Sequence, residues 1–242
     1  MNTKVFQIEE SSSVQSYKKQ EDTAKRFVAF LDIMGFKDRV ARTDHNELRE
    51  QLIGFNAGII QHTRQYDNRI QWALFSDSIV LFSNDDSLDS LKNIAEVTCS
   101  IMRDAISRQI PVKGAIAQGI ITCDVAKQLF FGQALIDAYL LEENIHYYGI
   151  LAHHSAEQSV IRLDKKSGKS YFRDIKAPLK SGQIGHYELS WYADSEKDTE
   201  TLRKTCSGLR NIRETVSDAP RKYIDNTLEV IDKFYKSKKK CN

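Results

Sequence analysis

The chain is poor in the motifs that usually announce a chemistry. Its four cysteines, Cys99, Cys123, Cys206 and Cys241, form no CxxC and no cysteine–histidine repeat, which points away from structural zinc and towards a reducing cytoplasm. There is no GxxxxGK[ST], no GxSxG and no HExxH, so the commoner routes to phosphate binding and hydrolysis are excluded. No apolar run approaches the length needed to span a bilayer, and the opening MNTKVFQIEESSSVQ lacks the basic start and apolar core of a signal peptide. Charge of one sign is lacking too: 35 Lys and Arg against 33 Asp and Glu leave a formal +2. That balance gives no reason to expect nucleic acid or a membrane as partner, and the basic KSKKK at 236–240 reads as a solvated end. The expectation is a soluble, cytoplasmic protein.

What is present suits one globular unit. The chain has 242 residues, 41% of them hydrophobic, enough for a substantial core, and shows no internal repeat. Residues 1–25 are polar and read as a flexible arm or short lead-in helix. FVAFLDI from 27 reads as a strand buried on both faces, and the stretch to about 66 carries Leu48, Leu52, Phe55, Ile59 and Ile60 at helical spacing. IQWALFSDSIVLFSN reads as a β-hairpin turning at Ser76-Asp77-Ser78, and a helix follows from about 87 to 108, stopped by Pro111. VKGAIAQGIITCD is a strand with two thinning glycines and QALIDAYLLEEN a helix, while IHYYGILAHHSA and SYFRDIKAPL read as extended, HYELSWY as the last strand, and 195–237 as helical with a break at Ser217–Pro220. The class is α+β, a mixed or antiparallel sheet covered by helices.

Two carboxylates interrupt this pattern. Asp32 lies near the end of the apolar run FVAFLDIMGF, where an unpaired charge is costly. Asp77 lies in the turn of the hairpin, 45 residues on. If the first strand runs beside the hairpin, both reach one edge of the sheet, where they repel unless a cation lies between them; oxygen ligands alone favour magnesium or manganese over zinc. Gly35 lets backbone amides approach an anion at the start of the next helix, and metal plus amide nest suits a triphosphate. The alternative is that Asp32 caps a helix and Asp77 fills a turn, and at this level both readings stand.

The set LDIMGF, FSDSIVLF, VKGAIAQG and FFGQALIDAYLLE, in this order and spacing, resembles the class III nucleotidyl cyclase catalytic domain over about residues 26–192. Within that class the chain looks most like the bacterial pyrimidine cyclases of anti-phage signalling, the Pycsar cyclases. The resemblance implies a ferredoxin-like core with a C-terminal helical extension and basic tail over 193–242. It also implies that Asp32, Asp77 and the backbone carbonyl of Ile33 bind two Mn2+ or Mg2+ ions. One ion would activate the ribose 3′-hydroxyl and the other hold the triphosphate for in-line attack on the α-phosphorus. Amides around Gly35 and Phe36 would take β- and γ-phosphate oxygens, and Lys176 or Lys180 would approach from the facing subunit of a homodimer.

The departures from the family pattern bear on substrate. Where purine cyclases of this class carry a polar base reader four residues before the second aspartate, this chain has Ala73, and the second reading position, three residues before Gly132, is Leu129. Neither pairs with a purine edge, which favours a pyrimidine, with Trp72 or Phe131 either filling the space beside a smaller ring or belonging to the core. The arginine that the family's following helix uses to stabilise the transition state is missing from QALIDAYLLEEN, leaving Lys113 as a candidate or as an exposed strand residue. His153 and His154, on an extended segment, would point to opposite faces and make a poor metal pair. The resemblance thus implies a cyclase making cUMP or cCMP from UTP or CTP as a messenger for a separate effector in phage defence. The alternatives are an inactive nucleotide-binding or dimerisation module, or a purine cyclase.

Overall fold

In the computed structural model, residues 22–66, 69–192 and 199–239 are described. Most of the N-terminal arm, and the end of the chain including Cys241, lie outside them.

Strand β1 (Thr23–Ile33) explains its own composition. It sits inside the sheet between β3 (Ser78–Ser83) and β4 (Val112–Asp124), antiparallel to both, so its two faces are buried and its sequence is nearly continuous in apolar residues. It begins four residues earlier than the sequence suggests, because Thr23 already pairs with Thr122 of β4. The other strands are β2 (Ile70–Phe75), β5 (Leu129–Gly132), β6 (Ile150–Ala152), β7 (Phe172–Leu179) and β8 (Gly182–Leu189). The sheet order is β2-β3-β1-β4-β6-β8-β7, with β5 paired to the far end of β4; only β4 and β6 run parallel.

Helices α1 (Phe36–Arg42) and α2 (His45–Arg64) occupy the stretch read as helical, divided where Asp44 accepts the backbone N–H groups of Asn46 at 2.9 Å and Glu47 at 3.2 Å. Helix α3 (Leu88–Ser107) starts at Ser87 and α4 is Gln133–Asn144. The main core joins Phe27, Ala29, Leu31 and Ile33 of β1 to Phe55 and Ile59 of α2 and to the apolar side of α3. A smaller cluster on the other face joins Val28, Phe82 and Ile121 to Ala134 of α4. On β4 the glycine that matters is Gly114: a Cβ there would stand 2.5 Å from the carbonyl oxygen of Phe30, so only glycine lets β1 and β4 lie this close.

One reading needs correction. His154–Ala156, the end of the segment read as extended, instead open α5 (His154–Ser167), which buries only Ala156, Ser159, Val160 and Leu163 and is mostly polar elsewhere, so its helical period is thinly written. The C-terminal helices α6 (Thr199–Thr215) and α7 (Asp218–Lys239) pack on the sheet's helical layer: Leu209, Ile212, Ile224, Ile231 and Phe234 join the main core.

Candidate metal and nucleotide site

Both aspartates lie at one corner of the sheet. Asp32 is the next-to-last residue of β1, opposite Ser78 on one side and Lys113 on the other. Asp77 is in the two-residue turn between Phe75 and Ser78, whose first position, Ser76, takes φ +56°, the conformation that the twist of a tight hairpin demands. The backbone N–H of Ile33 donates to the carbonyl of Asp77 at 2.8 Å, which ties the end of β1 directly to that turn. Beyond it the N–H of Met34 donates to Pro111 at 2.8 Å, and Gly35, at φ +71°, turns the chain into α1. Gly35 is the cap of α1 and no side chain caps that helix, so Asp32 is not a helix cap. Phe36 opens α1 with its ring against the core.

Asp32 is strained electrostatically. Burial, then the charges of Glu142 and Asp77, raise its pKa to about 6, against the opposing pull of Lys113. A carboxyl held in this way is one that a cation would relieve. The corner offers oxygen donors, two carboxylates and backbone carbonyls, the chemistry that hard divalent cations take, while among the described residues no cluster of three or more His, Cys, Asp or Glu side chains could hold an ion by itself.

Lys113 is neither an exposed strand residue nor available to a phosphate. Its side chain is 4% exposed, its ammonium meets Glu142 Oε1 at 2.8 Å, and it donates to the carbonyls of Glu142 at 2.8 Å and Ile145 at 3.3 Å, where α4 ends. Two hydrogen bonds and the ion pair commit the group to the end of α4. Glu142, which sequence reasoning missed, is itself buried, its pKa raised by burial and pulled back by Lys113. The signal was present: Lys113 interrupts an apolar strand just as Asp32 does and poses the same need for a partner.

The remaining residues separate. Ala73 pairs with Val80 and packs with Val28 and Phe82, on the face of the sheet that Asp32 shares. Trp72 faces the other way and packs against the main core, so it does not line this surface. Leu129 and Phe131 are not core: they stand 47% and 56% exposed on β5, opposite Asp124 and Thr122. Asp124 is eleven positions along β4 from Lys113, roughly 35 Å of strand, so neither residue reaches a nucleotide at Asp32 of its own chain. Lys176 is exposed on the edge strand β7; Lys180 follows β7, and its N–H donates to Asn144 at 2.8 Å, beside the end of α4. His153 is not on a strand but caps α5, its ring 4.0 Å from that of His154 and 3.7 Å from Asp137.

The fold recurs in solved structures. The guanylate cyclase domain of RhGC from Catenaria anguillulae in complex with GTP matches with a TM-score of 0.53 at 14% identity, over 69% of this chain and 96% of that one. The adenylyl cyclase CyaB from P. aeruginosa matches with 0.51 at 17% identity, over 73% and 97%. The fold is that of class III nucleotidyl cyclase domains. A dimeric guanylyl cyclase domain of the RhoGC fusion protein from Blastocladiella emersonii matches this cyclase fold with a TM-score of 0.55 at 13% identity, over 69% and 96%. No family model and no curated protein matches the chain. Nearly a third of the chain therefore lies outside the cyclase fold as those domains define it.

Among the described residues no helix is long and apolar enough to cross a membrane.

Proposed function

We propose that the chain is a homodimeric nucleotide cyclase that converts a pyrimidine nucleoside triphosphate, UTP or CTP, into its 3′,5′-cyclic monophosphate and pyrophosphate, a messenger for a separate effector in anti-phage defence. The observation that carries the cyclase reading is the tie of β1 to the β2–β3 turn, which brings the strained Asp32 and the turn residue Asp77 to one corner. Two divalent cations there, held by Asp32, Asp77 and the carbonyl of Ile33, would neutralise the triphosphate and make the ribose 3′-hydroxyl a better nucleophile. The protein's own part is placement. The αL turn at Gly35 leaves the first amides of α1 open to phosphate oxygens. Ala73, on the same face as Asp32, offers no donor or acceptor to a purine edge, which supports a pyrimidine.

The dimer is supported by exposed apolar side chains on one face of the β4–β5 hairpin, Ile120, Leu129 and Phe131, with Ile136, Tyr139 and Leu140 on α4. Since Leu129 and Phe131 cannot serve their own chain's site, any contact they make with base must be across a dimer. One observation favours a second reading, a nucleotide-binding module without turnover: α4 has no cation and Lys113 is consumed by Glu142. The deciding experiment is pyrophosphate release and product mass with manganese and each of ATP, GTP, CTP and UTP, against an Asp77→Ala control. Cyclic UMP or CMP lost in Asp77→Ala is expected. Cyclic AMP or GMP would overturn the pyrimidine assignment, and no product from a folded dimer would favour the binding module.

A further inference from the structure

The Lys113–Glu142 pair has a third neighbour from a distant part of the chain. Tyr223, in the first turns of α7, is buried, and its ring centroid is 5.9 Å from the Lys113 ammonium. The same ring packs edge-on against His146 at 4.5 Å and stacks on Tyr148 at 6.0 Å, both in the segment that follows α4. That segment is fixed by polar contacts from the next turn of α7. Asn226 Nδ2 donates to the carbonyl of His146 at 2.7 Å, and the N–H of Tyr148 donates to Thr227 Oγ1 at 2.8 Å. Thr227 Oγ1 in turn donates to the carbonyl of Tyr223 at 2.7 Å. The charges of Asp32 and Glu142 both reach the phenol, adding to the effect of burial in raising its pKa.

The electrostatics give this packing a consequence. Lys113 is the direct cross-strand neighbour of Asp32, so the Lys113–Glu142 pair stands beside that carboxyl, with Glu142 and Asp77 as its like charges and Lys113 as the offsetting cation. The ammonium is held at the end of α4 by two hydrogen bonds and its ion pair, and the Tyr223 ring lies over another of its sides. If that side opened, water would admit a looser Lys113, and Asp32 would face Glu142 with less compensation. A metal ligand in a buried site depends on such neighbours for its orientation as much as on its own side chain.

We propose that α7 is part of the carboxylate site, with Tyr223 as a positioning residue that holds the Lys113–Glu142 pair in place and, through it, fixes Asp32 for divalent cation binding. This rests on the reading that Asp32 and Asp77 hold such cations. The role needs the aromatic ring rather than the hydroxyl.

The test is Mn2+ binding to the full chain, followed by the electron paramagnetic resonance signal of free Mn2+, which needs no turnover. Wild type, Asp77→Ala, Tyr223→Leu, Tyr223→Phe and Ile231→Ala are compared, the last being a buried α7 residue two turns further along the helix. Tyr223→Leu is expected to weaken Mn2+ binding about tenfold and to raise the manganese needed for half-maximal turnover by a similar factor, with kcat at saturating metal within about twofold of wild type. Tyr223→Phe should bind as wild type does. Ile231→Ala should lower the melting temperature without changing Mn2+ affinity. Unchanged affinity in folded Tyr223→Leu, or an equal loss in Ile231→Ala, would overturn the proposal while leaving the Asp32–Asp77 site intact. Wild-type binding that is absent, or indifferent to Asp77→Ala, would remove the cation site itself and this inference with it.

Discussion

Replacing Asp32 by Asn should make the metal-free protein more stable at neutral and alkaline pH, although it removes a residue assigned to the active site. The Asp32 pKa is raised to about 6 in the folded chain from its ordinary value of 3.8. Between those values the folded state holds more protons than the unfolded state, so stability falls as pH rises from about 4 to 6 and stays low above that. The full shift corresponds to about 3 kcal/mol at 1.36 kcal/mol per pKa unit. Because Asp32 retains some contact with solvent, screening reduces this to about 1–2 kcal/mol. In urea, with an m-value on the order of 3 kcal/mol/M for a chain of this size, Asp32→Asn should raise the midpoint at pH 8 by about half a molar. At pH 4 the two proteins should unfold together. The assay is urea denaturation in EDTA followed by circular dichroism at both pH values. Saturating Mn2+ should then stabilise wild type and leave Asp32→Asn unmoved, closing or reversing the gap. An Asn variant no more stable than wild type at pH 8 in EDTA would refute the claim that burial and like charge strain this carboxyl.

Three further outcomes follow from named contacts. Lys113→Met strands Glu142 in the interior and should cost about 3–5 kcal/mol, whereas Lys113→Met with Glu142→Leu should recover most of it; a double-mutant cycle in urea reads the coupling, and additive losses would contradict the buried pair. Gly35→Ala forces an L side chain to φ +71° and should cost about 1–2 kcal/mol, a drop of several degrees by calorimetry; an unchanged melting temperature would mean that the turn into α1 relaxes freely. Phe131→Ser, at a half-exposed position on the β4–β5 hairpin, should change the unfolding free energy of the monomer by about 0.5 kcal/mol or less yet shift the dimer towards monomer in analytical ultracentrifugation; an undisturbed dimer would place the interface elsewhere.

The parts of the fold that were legible are those where one segment carries its own pattern. β1 reads as a strand buried on both faces because it is one, and the β2–β3 hairpin reads from two apolar runs and a polar turn. α5 was lost because a surface helix that buries four small or medium side chains leaves a faint period, and its first residues HSAE continue an apolar strand without an obvious stop. The site was legible only where a single residue looked out of place. Asp32 in an apolar run demands an explanation, whereas Glu142 sits in LLEEN at the end of an amphipathic helix and looks like ordinary surface. Its burial depends on Lys113, 29 positions earlier, and on α7 closing over the end of α4 from some 80 positions later, relations that no local period encodes. Trp72 and Ala73 show the same limit: adjacent letters in a strand, they belong to opposite faces, and only the register of β1 against β3 decides which face holds the aspartates.

The charge at that corner gives the last step. Asp32, Asp77 and Glu142 bring three negative charges together and Lys113 returns one, so ionising all three carboxylates leaves a net −2 in a partly desolvated place. The chain relieves this in the metal-free state by letting Asp32 hold a proton up to about pH 6. One divalent ion matches the deficit, and it would displace that proton, so metal binding should release protons near pH 6 and strengthen steeply from pH 5 to pH 7. A second ion adds charge that the protein does not ask for and a triphosphate supplies. On the proposed reading, therefore, the first Mn2+ binds the free protein and the second binds with the nucleotide. Titration of the free chain should find one site, and a second should appear only with a non-cyclisable 3′-deoxynucleoside triphosphate; two equal sites on the free chain would show that the corner carries more negative charge than these four side chains provide.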